Sequence, residues 1–183
     1  MTQLVETPLT QTSRLGSQLA ALGILVIDDN AQMRSIVGSV LRAAGVGRVH
    51  YASTGIQGLE ILAHREIDVA YVDYEMPQMN GLQFTSAVRS VKSTCPYLPI
   101  IMLTGHSDES RLHEARDSGV TEFLCKPVTA NALLKRLEAV ILQPRPFIDC
   151  ESYFGPDRRR RSDAPYTGPR RRASDRDEEA QPR

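Results

Sequence analysis

The sequence predicts an α/β domain in which an open parallel sheet of five strands is covered by helices. Three features predict it: five short apolar runs cut off by polar residues, apolar residues at helical spacing after each run, and short connections throughout. The first run, Gly23-Ile24-Leu25-Val26-Ile27, is nearly continuous in apolar residues rather than alternating. That texture belongs to strands buried on both faces, as in a parallel sheet with helices above and below.

Gly23-Ile24-Leu25-Val26-Ile27 is the first strand and stops at Asp28-Asp29-Asn30. Met33, Ile36, Val37, Val40 and Leu41 then form a helical stripe, which Gly45 closes. Residues 49–52 are the second strand, and Ile56, Leu59, Ile61 and Leu62 mark a helix ending near His64-Arg65. Residues 68–72 are the third strand, stopping at Asp73, and residues 82–91 the third helix, with Phe84, Ala87, Val88 and Val91 inward. The fourth strand covers residues 99–103 and stops at Thr104. Ser107 caps a helix whose first turn carries Asp108 and Glu109 and whose end carries Arg116 and Gly119, the charge order that suits the helix dipole. Residues 122–125 are the fifth strand, stopping at Lys126-Pro127; Thr129 caps a last helix striped by Leu133, Leu134, Leu137, Val140 and Ile141.

The chain therefore divides into an N-terminal extension, 1–21, a domain over 22–143, and a Pro- and Arg-rich tail, 144–183, expected to be disordered. With 183 residues, 41% of them hydrophobic, there is material for one core and not for two. Twenty-two basic residues balance twenty-two acidic ones, so no global field marks a binder of nucleic acid or membrane. No apolar run approaches a membrane span, and residues 1–21 hold no block of signal-peptide length, so a cytoplasmic protein is expected. Cys95, Cys125 and Cys150 lack CxxC spacing and read as reduced thiols.

Ligands of open α/β sheets gather outside the carboxyl ends of the strands. There the sequence places Asp28, Asp29, Asp73, Thr104 and Lys126. Singly, each has an ordinary explanation as a cap, a turn residue or a solvated lysine. Together they do not, because carboxylates ~4 Å apart repel by roughly 4 kcal/mol per pair at an effective dielectric of about 20. Lys126 supplies one positive charge, and an all-oxygen donor set suits Mg²⁺, which binds through one or two carboxylates and keeps several waters. A carboxylate beside such a metal can attack phosphorus and form an acyl phosphate, and Asp73 is the candidate nucleophile because it ends a central strand before the turn at Pro77. Lys126 and the Thr104 hydroxyl would stabilise charge on the transferring oxygens.

These blocks, with Asp73-Tyr74-Glu75-Met76-Pro77-Gln78-Met79-Asn80-Gly81, Thr104-Gly105 and Phe123-Leu124-Cys125-Lys126-Pro127, resemble the receiver domain of bacterial two-component response regulators, of the single-domain chemotaxis type. The resemblance covers residues 22–143. It implies a doubly wound, flavodoxin-like sheet in the order 2-1-3-4-5 with helices on both faces. It implies Asp73 as phosphoacceptor, Asp29, Asp73 and the Glu75 backbone carbonyl as direct Mg²⁺ ligands, and Asp28 acting largely through water. Thr104 and Lys126 would hold the phosphoryl oxygens, Phe123 would follow Thr104 as the switch aromatic, and Lys126-Pro127 would be a candidate cis bond. Glu75 and His106 occupy positions that in this family tune acyl-phosphate hydrolysis; His50, His64 and His113 are given no role.

The implied protein is a phosphoacceptor rather than an enzyme, apart from intrinsic hydrolysis of its own acyl phosphate. Its partners would be a histidine kinase or histidine phosphotransfer protein and a downstream protein met through the receiver surface. A homodimer through the helix after Ser107, the fifth strand and the last helix is a further expectation. An aspartate-nucleophile phosphatase would want Asp-x-Asp after the first strand, which Asp28-Asp29-Asn30 does not supply. The tail repeats an aromatic, Gly-Pro and arginine pattern, Tyr153-Phe154-Gly155-Pro156-Asp157-Arg158-Arg159-Arg160 and Tyr166-Thr167-Gly168-Pro169-Arg170-Arg171-Arg172. Those clusters leave open a second possibility, a nucleic-acid-associated regulator acting through the tail.

Overall fold

The computed structural model describes residues 18–90, 93–105, 117–150 and 153–157. Five strands, β1 (Gly23–Ile27), β2 (Arg48–Ala52), β3 (Val69–Asp73), β4 (Ile100–Thr104) and β5 (Glu122–Cys125), form one parallel sheet in the order β2-β1-β3-β4-β5. This is the doubly wound order expected. The described helices of the domain are α1 (Ala31–Ala43), α2 (Gly55–His64), α3 (Gly81–Arg89) and α4 (Ala130–Leu142). The helix expected after Ser107, with His106 and His113, lies outside the described residues.

Side-chain alternation along the central strands explains their apolar runs. In β1, Ile24 and Val26 face one side and pack with Val37 and Leu41 of α1 and Leu133, Leu137 and Val140 of α4. Leu25 and Ile27 face the other and pack with Phe84 and Val88 of α3 and the half-buried Leu59 and Leu62 of α2. Both faces are dry, so the central strands β1, β3 and β4 are buried at every position. Buried Tyr71, on β3, donates its hydroxyl to the Leu133 carbonyl, 3.0 Å away, and burial pushes its ionisation far above the usual tyrosine range.

Helix starts follow local chemistry. Asn30 caps α1 through its side chain, which accepts from the Gln32 and Met33 amides. Asn80 and Gln83 form a reciprocal capping box at α3, and Thr129 caps α4 as expected. Gly45, at φ 95°, ends α1 in the left-handed region that glycine adopts without strain.

The segment beyond the domain corrects one expectation. The tail was expected to be disordered from residue 144, yet β6 (Phe147–Cys150) and β7 (Tyr153–Pro156) pair as an antiparallel hairpin. Its aromatic residues have somewhere to go: Phe147 and Phe154 meet Tyr97 edge-on with ring centroids 5.1 and 5.4 Å away. Composition registered the Pro, Arg and Asp of the tail but not a berth for its two phenylalanines. The arginine runs of the tail repeat lie outside the described residues.

Candidate functional site

The carboxyl ends of β1, β3 and β5 converge on one open cleft lined by Asp28, Asp29, Asp73, Glu75 and Lys126, among others. Asp28 follows β1, Asp73 is the last residue of β3, and Lys126 follows β5. Carboxylate oxygens of Asp28, Asp29 and Asp73 all lie within 4.8 Å of one another. The Lys126 ammonium sits between two of them, 2.9 Å from Asp73 Oδ1 and 3.1 Å from Asp28 Oδ2. Asp28 and Asp73 are buried, whereas Asp29 is exposed. The Lys126–Pro127 peptide bond is cis.

Backbone chemistry fixes the acidic pair. The Asn30 amide donates to Asp28 Oδ1 at 2.8 Å, which turns the other oxygen towards Lys126. Arg34 reaches back from the second turn of α1 to donate to the carbonyls of Asp28, at 2.6 Å, and Asp29, at 3.1 Å. Sequence reasoning missed Arg34. Its signal was a cation near a helix N-terminus, where the dipole disfavours positive charge unless acceptors hold it. On the β3 side the Gly81 amide donates to the Tyr74 carbonyl, and a Cβ on Gly81 would stand 2.5 Å from the Asp73 carbonyl oxygen. Glycine is required there by close approach.

Electrostatics set the two reactive groups against each other. Burial pushes the Asp73 carboxyl above the ordinary aspartate value; the Lys126 hydrogen bond opposes this, and the Asp28 charge adds to it. Burial works against the Lys126 charge, but the bonds and charges of Asp73 and Asp28 outweigh it and hold the ammonium above the usual lysine value. Three carboxylates against one ammonium leave the cluster short of positive charge. A hard divalent cation fits this donor set: three clustered carboxylates on an open cleft, with no cysteine or histidine among its lining residues.

Thr104 and Phe123 stand differently from the rest. Thr104 is buried at the end of β4, and Gly105, not Thr104, lines the cleft. Phe123 is half-buried on β5, opposite Met102 in register, and packs with Leu82, Met102 and Val120 beside Tyr74.

The family model for the response regulator receiver domain matches residues 24–138. The chain belongs to that family. Chemotaxis protein CheY-3 of Vibrio cholerae is 31% identical over 117 residues, 64% of this chain and 89% of that protein. Chemotaxis protein CheY1 of Helicobacter pylori is 35% identical over 119 residues, 64% of this chain and 95% of that protein. The solved structure of Vibrio cholerae chemotaxis protein CheY4 superposes with a TM-score of 0.62 at 34% identity, covering 66% of this chain and 100% of that chain. This receiver is thus a CheY-like component of two-component signalling, and the β6–β7 hairpin lies beyond the span that the family model matches. No helix among the described residues is long and apolar enough to cross a membrane.

Proposed function

We propose that the receiver accepts a phosphoryl group on Asp73 in a Mg²⁺-dependent reaction and signals through its surface to a protein partner in the cytoplasm. The observation that carries this is the triad of carboxylates within 4.8 Å with Lys126 Nζ 2.9 Å from Asp73 Oδ1. Asp29, Asp73 and the Glu75 carbonyl would hold the ion, with Asp28 contributing through water. Bound there, Mg²⁺ supplies charge neutralisation and polarisation of phosphoryl oxygens.

The residues of the chain do the remainder. An Asp73 carboxylate oxygen forms the new bond to phosphorus while the P–N bond of a phosphohistidine donor breaks, its electron pair leaving on the imidazole nitrogen. Lys126 is already aimed at Asp73 and holds a phosphoryl oxygen once the group has moved. Thr104 turns its hydroxyl to a second oxygen, and Phe123 follows into the vacated space, altering the β4–β5 face that a partner meets. The donor is a histidine kinase or a phosphotransfer protein. Water attack on the acyl phosphate resets the site, so the protein turns over no other substrate.

Acetyl phosphate carrying labelled phosphorus tests this directly. Wild type is expected to incorporate label with Mg²⁺ and not with EDTA, and Asp73→Ala to incorporate none. Mg²⁺-independent labelling retained by Asp73→Ala would refute it. Nothing on the described residues favours the nucleic-acid reading of the tail or the homodimer.

A further inference from the structure

The hairpin of β6 and β7 sits at the end of the sheet opposite the acidic cleft. Its berth is built from Arg89 at the end of α3, Pro96 and Tyr97 ahead of β4, and Gly119 ahead of β5. Arg89 is its centre: Nε donates to the Gly119 carbonyl at 3.1 Å, Nη1 to the Pro96 carbonyl at 2.7 Å, and the guanidinium lies 5.1 Å from the Phe147 ring centroid. Arg145, on the approach to the hairpin, pairs with Glu122 Oε1 at 2.5 Å. Gly155 is packed so closely that a Cβ there would stand 3.0 Å from Gly119 Cα.

We propose that this hairpin is a strap coupled to the phosphorylation site, docked in the unphosphorylated receiver and loosened when Asp73 carries a phosphoryl group. The proposal rests on the assignment of Asp73 and Thr104 made above. Two physical facts support it. First, β4 and β5 are shared: the segments that lead into them hold Tyr97 and Gly119 against the hairpin, and their far ends deliver Thr104 and Lys126 to the site. Each strand is only four or five residues long and is locked to its neighbour in register, so a shift at one end is felt at the other.

Second, the hairpin is poised rather than locked. An isolated two-stranded hairpin is at best marginally stable in water, so this one folds only against its berth. Docking also carries a cost, because Arg89 Nη2 is buried without a hydrogen-bond partner and burial lowers the guanidinium to about 10. Undocking would return that group to water. A docked state with one unsatisfied guanidinium nitrogen and a small aromatic contact is one that a modest change in the berth can release.

Linkage makes the test reciprocal: what phosphorylation does to docking, loss of docking must do to binding of a phosphoryl mimic. Amide hydrogen exchange of residues 147–150 and 153–155 is measured in the full chain with Mg²⁺, with and without saturating beryllofluoride. Protection is expected to fall about fivefold or more on saturation in wild type and not to change in Asp73→Ala. In the other direction, Phe154→Ala and, separately, Gly155→Val are expected to bind beryllofluoride about fivefold more tightly than wild type. Unchanged or increased protection on saturation overturns the proposal, as does an affinity within twofold of wild type in both variants. If instead Asp73→Ala still takes up label from acetyl phosphate, the assignment of the phosphoacceptor fails. A chain labelled only at Asp73 whose hairpin does not respond fails the strap alone.

Discussion

Replacing Lys126 by methionine removes the cation that the structure places between two buried carboxylates while keeping its apolar stem. The Asp28, Asp29 and Asp73 oxygens lie within 4.8 Å of one another, a separation at which each like pair repels by about 3.5 kcal/mol at an effective dielectric of 20. Lys126, at 2.9 and 3.1 Å, offsets this through two contacts. Removing one partner of a buried pair costs ~3–5 kcal/mol. The Lys126 side chain is 23% exposed, so solvent takes part of that away, and ~3 kcal/mol is expected at neutral pH in EDTA.

The pH dependence of Lys126→Met has a definite sign. Burial already raises the Asp73 carboxyl, against a downward pull from Lys126. Without that pull the folded protein binds the Asp73 proton still more tightly than the unfolded chain does. Stability is therefore recovered as pH falls from neutral through the raised Asp73 value, and fully regained only below the ordinary aspartate range. Urea melts at neutral pH and at about pH 5, both in EDTA, measure it, and the deficit of the variant is expected to shrink at the lower pH. A variant within ~1 kcal/mol of wild type at neutral pH, or a deficit that widens on acidification, would refute the charge balance described.

Three further outcomes are expected. Mg²⁺ at a hundred times its dissociation constant is expected to stabilise wild type by about 2.7 kcal/mol in a thermal melt, and Asp29→Asn to lose most of that increment. Gly81→Ala forces a Cβ to 2.5 Å from the Asp73 carbonyl oxygen and 2.6 Å from Met102 Sδ; a loss of ~1–3 kcal/mol in chemical denaturation is expected, with slower labelling of Asp73. Arg34→Ala frees the carbonyls of Asp28 and Asp29 near the surface, so it is expected to weaken Mg²⁺ binding in a titration while changing stability by less than ~1 kcal/mol.

The acidic pair, Asp73 and Lys126 were legible because each directly ends or follows a strand that apolar continuity had marked. Arg34 was not, since its role lies in backbone acceptors that only the turn of α1 brings within reach. Phe123 could be assigned by resemblance, but its half-buried packing with Leu82, Met102 and Val120 depends on contacts between α3, β4 and β5. Nothing in the sequence pattern singles out Arg89, which is buried and meets a ring nearly sixty residues further along the chain.

The sequence by itself determined the strands, the Thr129 cap and the rim on which the charged residues stand, because these are set by apolar run length, side-chain period and local hydrogen bonds. Only the tertiary structure decided that Lys126 bridges Asp28 and Asp73 and that the chain beyond α4 returns as a docked hairpin. Both depend on groups distant in sequence meeting at fixed separations, and such pairings leave no periodic trace in the chain. The hairpin shows the limit most clearly: its composition resembles a solvated tail, and it is the berth of Arg89, Tyr97 and Gly119 that leaves Phe147 and Phe154 half-buried instead of exposed.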